Sequence, residues 1–184
     1  YKNDGQTLRI IPLGEDSLRV VATPSGPLDL TSSALLEQET NALISIKEET
    51  ASISVGKITA EIDTRGWNTS AVITFYNDKK DIILKEITGG GALLHQARYF
   101  KPYIGGDYRL TATFEATPEE KIYGMGQYQQ DILDLKGCNI ELAHRNSQAS
   151  IPFYISDKGY GFFWHNPAIG SVSFGKNTTE WRAD

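Results

Sequence analysis

The chain is poor in the residues that carry most familiar chemistry. Of its 184 residues only Cys138 is a cysteine, which excludes an internal disulfide and a cysteine-based zinc site. A reducing compartment, the cytoplasm, is therefore expected. Tyr1 to Thr7 also lack the charged-then-apolar layout of an export signal. The three histidines, His95, His144 and His165, are too widely spaced for a paired metal-ligand motif. A basic excess is missing as well. The net charge of −5 argues against the cationic face that nucleic acid or an anionic membrane surface requires. No apolar run approaches the roughly 20 residues of a spanning helix. No metal, cofactor, nucleic-acid or membrane partner is expected.

Catalytic signatures are missing too. No Gly-x-Ser-x-Gly elbow presents a nucleophilic serine. Gly124-Met125-Gly126 has only two glycines and no helix signal after it, so it does not read as a phosphate cradle. The sequons at Asn68-Thr69-Ser70 and Asn177-Thr178-Thr179 matter only in a secreted eukaryotic protein.

What the sequence does contain is alternation. Apolar residues make up 40% of the chain, enough for a core, and a domain of this length buries roughly 70% of its unfolded surface. Ile58, Ala60 and Ile62 alternate with Thr59, Glu61 and Asp63; Leu110, Ala112 and Phe114 alternate with Thr111, Thr113 and Glu115. Successive side chains on a strand point to opposite faces, so each run offers one dry and one wet face. Similar runs lie at 7–11, 17–22, 42–46, 52–55, 70–76, 81–87, 139–142, 151–155, 159–164 and 171–174. Turn formers separate them, among them Leu13-Gly14-Glu15-Asp16, Pro24-Ser25-Gly26-Pro27 and Gly105-Gly106-Asp107. Helix signals are confined to Ser32 to Glu39 and to Thr117-Pro118-Glu119-Glu120. The expectation is all-β, a large antiparallel β-sandwich occupying residues 1–184 as one domain. Gly89 to Asp107, rich in glycine and poor in alternation, is expected to be a loop.

The most informative stretch runs from Tyr123 to Asn166. Gln127, Gln129 and Gln130, with Tyr128, follow a strand that ends in two glycines. Amide side chains offer donors and an acceptor without charge, which matches sugar hydroxyls. Aromatic faces such as Tyr128 or Trp164 suit the apolar side of a sugar ring. The same composition equally suits a loop that satisfies its own backbone. Trp67 and Trp181 read as core or edge packing. Glycoside hydrolysis usually needs two carboxyl groups across one bond. Asp131 and Asp134 are the only pair to consider among 23 acidic residues, and a surface role suits them better.

In order and spacing these residues resemble the N-terminal β-sandwich of glycoside hydrolase family 31, the α-glucosidases and α-xylosidases. Tyr123, Gly124, Gly126 and Gln127 match the family's Tyr-Gly-x-Gly-Glu/Gln segment. Lys136-Gly137 matches the Lys-Gly of the α-xylosidase-like members, and Pro152-Phe153 and Lys158-Gly159-Tyr160-Gly161 match later strands. Arg19 to Pro24 followed by Thr31 to Leu36 resembles the opening strands. The resemblance implies a galactose-mutarotase-like supersandwich. It also implies that the chain is one part of a retaining enzyme whose aspartate nucleophile and acid/base lie on a downstream (β/α)8 barrel, beyond Asp184. The chain alone would then hold no catalytic residue.

Where several family members have Asn-Arg-Asp, this chain has His144-Arg145-Asn146. In those members the aspartate reaches the sugar at the barrel mouth, so the resemblance makes Asn146 the expected substrate contact. Arg145 is its expected positioning partner and Gln127 a further contact. Expected partners are an α-linked xyloside or glucoside and the barrel; homo-oligomer formation by the full-length enzyme stays open. A free-standing carbohydrate-binding sandwich and a structural or oligomerisation module remain as alternative readings.

Overall fold

The computed structural model describes residues 2–3, 6–31, 35–36, 38–65, 71–87 and 96–184. Trp67, His95, the Asn68 sequon, Gly89-Gly90-Gly91 and parts of the Ser32 to Glu39 segment lie outside the described residues. Packing divides the chain into two compact units, Tyr1–Lys85 and Glu86–Asp184. Every strand pairing among the described residues is antiparallel, and no helix occurs among them.

The first unit holds two sheets. One comprises β1 (Lys2–Asn3), β2 (Gln6–Leu13) and β3 (Ser17–Thr23). The other is the five-strand meander β4 (Ala42–Ile46), β5 (Thr50–Val55), β6 (Ile58–Asp63), β7 (Val72–Tyr76) and β8 (Ile82–Lys85). Each of its connections is short, so sequence neighbours pair in space. The predicted period of two is realised directly. Ile53 and Val55 on β5, Ala60 on β6, and Ile73 and Phe75 on β7 turn into the core.

The second unit also has two sheets. The larger runs β12 (Asn139–Leu142), β15 (Gly170–Phe174), β16 (Thr178–Ala183), β10 (Tyr108–Glu115) and β9 (Arg98–Pro102). The smaller runs β11 (Ile122–Gln127), β13 (Ala149–Ser156) and β14 (Tyr160–Phe163). They face each other through aromatic rings. Trp181 on β16 is fully buried, stacked against Phe162 at 5.2 Å and Tyr154 at 6.2 Å. Phe174 meets the Trp181 ring edge-on at 6.1 Å. Such ring pairs add about 0.5–1.5 kcal/mol each beyond the area they bury.

Three details differ from the sequence reading. Residues 98–102, expected in a loop, form the edge strand β9, with Pro102 at its last position, where a missing N–H costs least. β16 is a central strand whose Thr179, Trp181 and Ala183 point inward. Thr117 to Glu120 form only a turn, in which Glu120 N–H donates to the Thr117 carbonyl at 3.2 Å.

Candidate functional site

The glycine-amide-aromatic stretch begins on β11. Gly124 and Gly126 take φ of 119° and 95°, and the register with β13 shifts between them. A Cβ at Gly126 would collide with the Ala149 carbonyl, so the two backbones approach as only glycine permits. This bulge turns Met125 fully inward and sets Gln127, exposed, directly opposite Ala149.

The loop after β11 is anchored at both ends. Tyr128 Oη lies 2.9 Å from the Glu141 carbonyl, to which it donates, and 2.7 Å from Ser150 Oγ. Further along, Asp134 Oδ1 accepts the N–H groups of Ile122 and Lys136, each at 3.1 Å. Those bonds, that from Lys136 foremost, hold its carboxyl below the usual aspartate range. Leu135 is buried, and its N–H donates to the Ile122 carbonyl at 2.8 Å. Between these anchors Gln129, Gln130, Asp131, Ile132 and Leu133 are exposed.

The segment between β12 and β13 is a tight turn. Gln148 N–H donates to the Arg145 carbonyl at 2.9 Å, and Ser147 takes a φ of 69°. Asn146 stands exposed at its tip. Arg145 donates two hydrogen bonds to the Glu141 carboxylate, from Nε at 2.7 Å and from Nη2 at 2.6 Å. This fork lowers the Glu141 pKa and raises that of Arg145. Arg145 is thus tied to β12, and through Glu141 it braces the turn that carries Asn146.

The structure brings the predicted residues to one end of the small sheet. Gln127 pairs with Ala149, three positions beyond Asn146, and the turn opens beside it. All three predicted residues are exposed. Packing engages both aromatic residues expected to serve as platforms. Trp164 is buried and stacks on Trp181 at 5.4 Å, while Tyr128 is half-buried with its hydroxyl engaged. The Trp164 indole therefore offers no free face to a ligand. Asp134 Oδ1 is engaged by two backbone N–H groups, while Asp131 is exposed in the loop.

Sequence reasoning missed a buried polar cluster under this region. The Glu120 carboxylate accepts from Ser156 Oγ at 2.6 Å and Tyr160 Oη at 2.8 Å. Its other oxygen faces Lys136 Nζ at 3.6 Å and Lys158 Nζ at 3.8 Å. The only sequence hint was that Lys136-Gly137 and Lys158-Gly159 both interrupt apolar runs.

Fold and site together define an antiparallel β body that presents amide and guanidinium groups at one sheet end. Residues 7–172, spanning both units, match the family model described as the glycosyl hydrolase 31 N-terminal galactose mutarotase-like domain, and the chain belongs to that family. It is 43% identical to a family 31 glucosidase of Pseudescherichia vulneris, across 98% of this chain and 37% of that protein. Alpha-xylosidase A of Aspergillus niger is 28% identical over 97% of this chain and 26% of its own length. Among solved structures, a family 31 α-xylosidase from a soil metagenome, complexed with xylose, superposes with a TM-score of 0.90 at 43% identity. That match covers 99% of this chain and 29% of the xylosidase. The chain therefore spans only 26% to 37% of the length of these relatives.

Proposed function

We propose that the chain is the non-catalytic N-terminal part of a retaining α-glycosidase, of α-xylosidase rather than α-glucosidase type. In this reading it packs on a catalytic barrel carried by the rest of the polypeptide and lends the Gln127 end of β11 and the Arg145–Gln148 turn to the substrate entrance. The observation that carries it is the 43% identity, over 99% of this chain, to an α-xylosidase solved with xylose. The exposed amides of Gln127 and Asn146 at one sheet end support it locally. Asn146 supplies a directional hydrogen bond without charge, and Arg145 holds the turn through Glu141.

The test is kinetic and uses the full-length protein. Aryl α-xyloside should be hydrolysed in preference to aryl α-glucoside, and Asn146→Ala should lower kcat/KM by a factor of about 10, the worth of one neutral hydrogen bond. Wild-type kinetics in that variant would remove Asn146 from the site. A preference for the glucoside would correct the sugar while leaving the architecture in place.

A further inference from the structure

The small sheet of the second unit has a second face, turned away from the Trp181 core, and that face is mainly apolar, with Tyr123 set opposite Ile155. On β13 the inward residues are Ser150, Tyr154 and Ser156; the outward ones are Ile151, Phe153 and Ile155, with exposures of 54%, 40% and 53%. Phe163 on β14 lies directly across from Phe153 and is 45% exposed. The plate is flat by construction. A Cβ at Gly161 would come within 2.9 Å of Phe153 Cζ, so the Phe153 ring lies over the glycine rather than standing off the sheet. Phe163 is stacked on the His165 ring at 5.3 Å and 17°. On β13 the inward side chains include the two serines Ser150 and Ser156, whereas the outward ones are all hydrocarbon, so the more apolar face is the open one. A contiguous exposed apolar patch marks an interaction surface.

We propose that this plate is where the remainder of the parent polypeptide seats, so that the docked partner meets the Gln127 and Asn146 end of the same sheet. The inference rests on the function proposed above and names its docking surface. Three observations select this occupant. First, the relatives carry further chain amounting to roughly twice the length matched here, since the match covers 37% and 29% of two of them. Second, Ile151, Phe153, Ile155 and Phe163 carry no charge, as in the core of a permanent interface rather than a steered, transient one. Third, the plate is continuous with the candidate entrance. Ile151 is two residues from Ala149, the partner of Gln127, and from there the stripe runs about 13 Å along β13 to Ile155. A sugar would need several hydrogen-bonding groups around the rings; the four plate side chains supply none, and of their neighbours Tyr123, opposite Ile155, and His165, stacked on Phe163, bring one phenol and one imidazole.

Hydroxyl-radical footprinting of the full-length protein, read by mass spectrometry, tests this. Labelling of Ile151, Phe153, Ile155 and Phe163, corrected for intrinsic reactivity, should fall to the level of the core residues Tyr154 and Trp181. Labelling in proportion to the exposures above would overturn the proposal. So would protection that appears only on adding xylo-oligosaccharide, which assigns the plate to sugar, or only with rising protein concentration, which assigns it to a second copy. Aryl α-xyloside hydrolysis is measured on the same sample. Activity with an unprotected plate defeats the docking surface alone; a protected plate without glycosidase activity defeats the functional reading alone.

Discussion

Glu120 and Lys136 face each other inside the second unit, with Oε2 and Nζ 3.6 Å apart and side chains only 4% and 9% exposed. Lys136 Nζ has no hydrogen-bond partner among the described residues, so Glu120 supplies most of what compensates its buried charge. Lys158, at 3.8 Å, is less enclosed. The pair ties the loop before β12 to the turn before β11, beneath the hairpin of β13 and β14.

Removing one partner of such a pair strands the other charge. Glu120→Ala should cost about 3–5 kcal/mol in urea unfolding. Lys136→Met should cost less, because Glu120 keeps Ser156, Tyr160 and Lys158. Combining the two changes should recover part of the loss. Strict additivity of the two single effects would show that the residues do not interact.

Gly126 and Gly137 offer a matched contrast, with φ of 95° and 88°. At Gly126 an added Cβ would collide with the Ala149 carbonyl; at Gly137 nothing lies within 4 Å. Gly137→Ala should cost about 1–2 kcal/mol, the backbone term alone. Gly126→Ala should cost clearly more and disturb the amide resonances of Ala149 and Ser150. Equal losses would mean that the bulge tolerates a side chain.

Asp63 in the first unit receives hydrogen bonds from Arg65 Nε at 2.9 Å, Arg65 Nη2 at 2.6 Å and the Arg65 N–H at 2.9 Å. They hold its pKa at about 2 rather than 3.8. Folding therefore favours the carboxylate. Its contribution is present above about pH 4 and is lost as pH falls through about 2. The group is exposed, so the effect on stability should stay below about 1 kcal/mol. A carboxyl titration by NMR should show the low midpoint, and Arg65→Ala should return it towards the ordinary value.

Tyr160 and Tyr154 should not ionise in the folded protein at ordinary alkaline pH. Burial is the main force pushing both upward from 10.0; for Tyr160 the neighbouring Tyr154 and Glu120 add to it. The fold prefers the neutral phenols, so this contribution is intact below pH 10 and is lost as pH rises above it. An ultraviolet difference titration should register these two tyrosines only together with unfolding. A reversible midpoint near 10 for all nine tyrosines would contradict it.

Much of this fold could be read in advance, and for one reason. Strand alternation is a local property: Ile58 to Asp63 and Leu110 to Glu115 announce both their conformation and their buried face within a few residues. β9 escaped notice because its Arg-Tyr-Phe-Lys-Pro run follows a glycine-rich stretch and lies at an edge. The residues of the candidate site were legible as types, not as positions. Amides at Gln127 and Asn146 suggested a polar ligand, but Trp164 and Tyr128 looked like platforms until packing placed one in the core and engaged the other's hydroxyl.

The amino-acid order alone determined the all-β class, the strand faces, and the family whose motifs this chain shares. Only the tertiary structure decided that Tyr128 answers to Ser150, that Glu120 lies buried between lysines, and that Phe153 and Phe163 form an open plate. The physical reason is range. Backbone preference and alternation act between near neighbours, whereas a buried charge or an uncovered ring is defined by residues far apart in the chain that meet only after the sheets have closed.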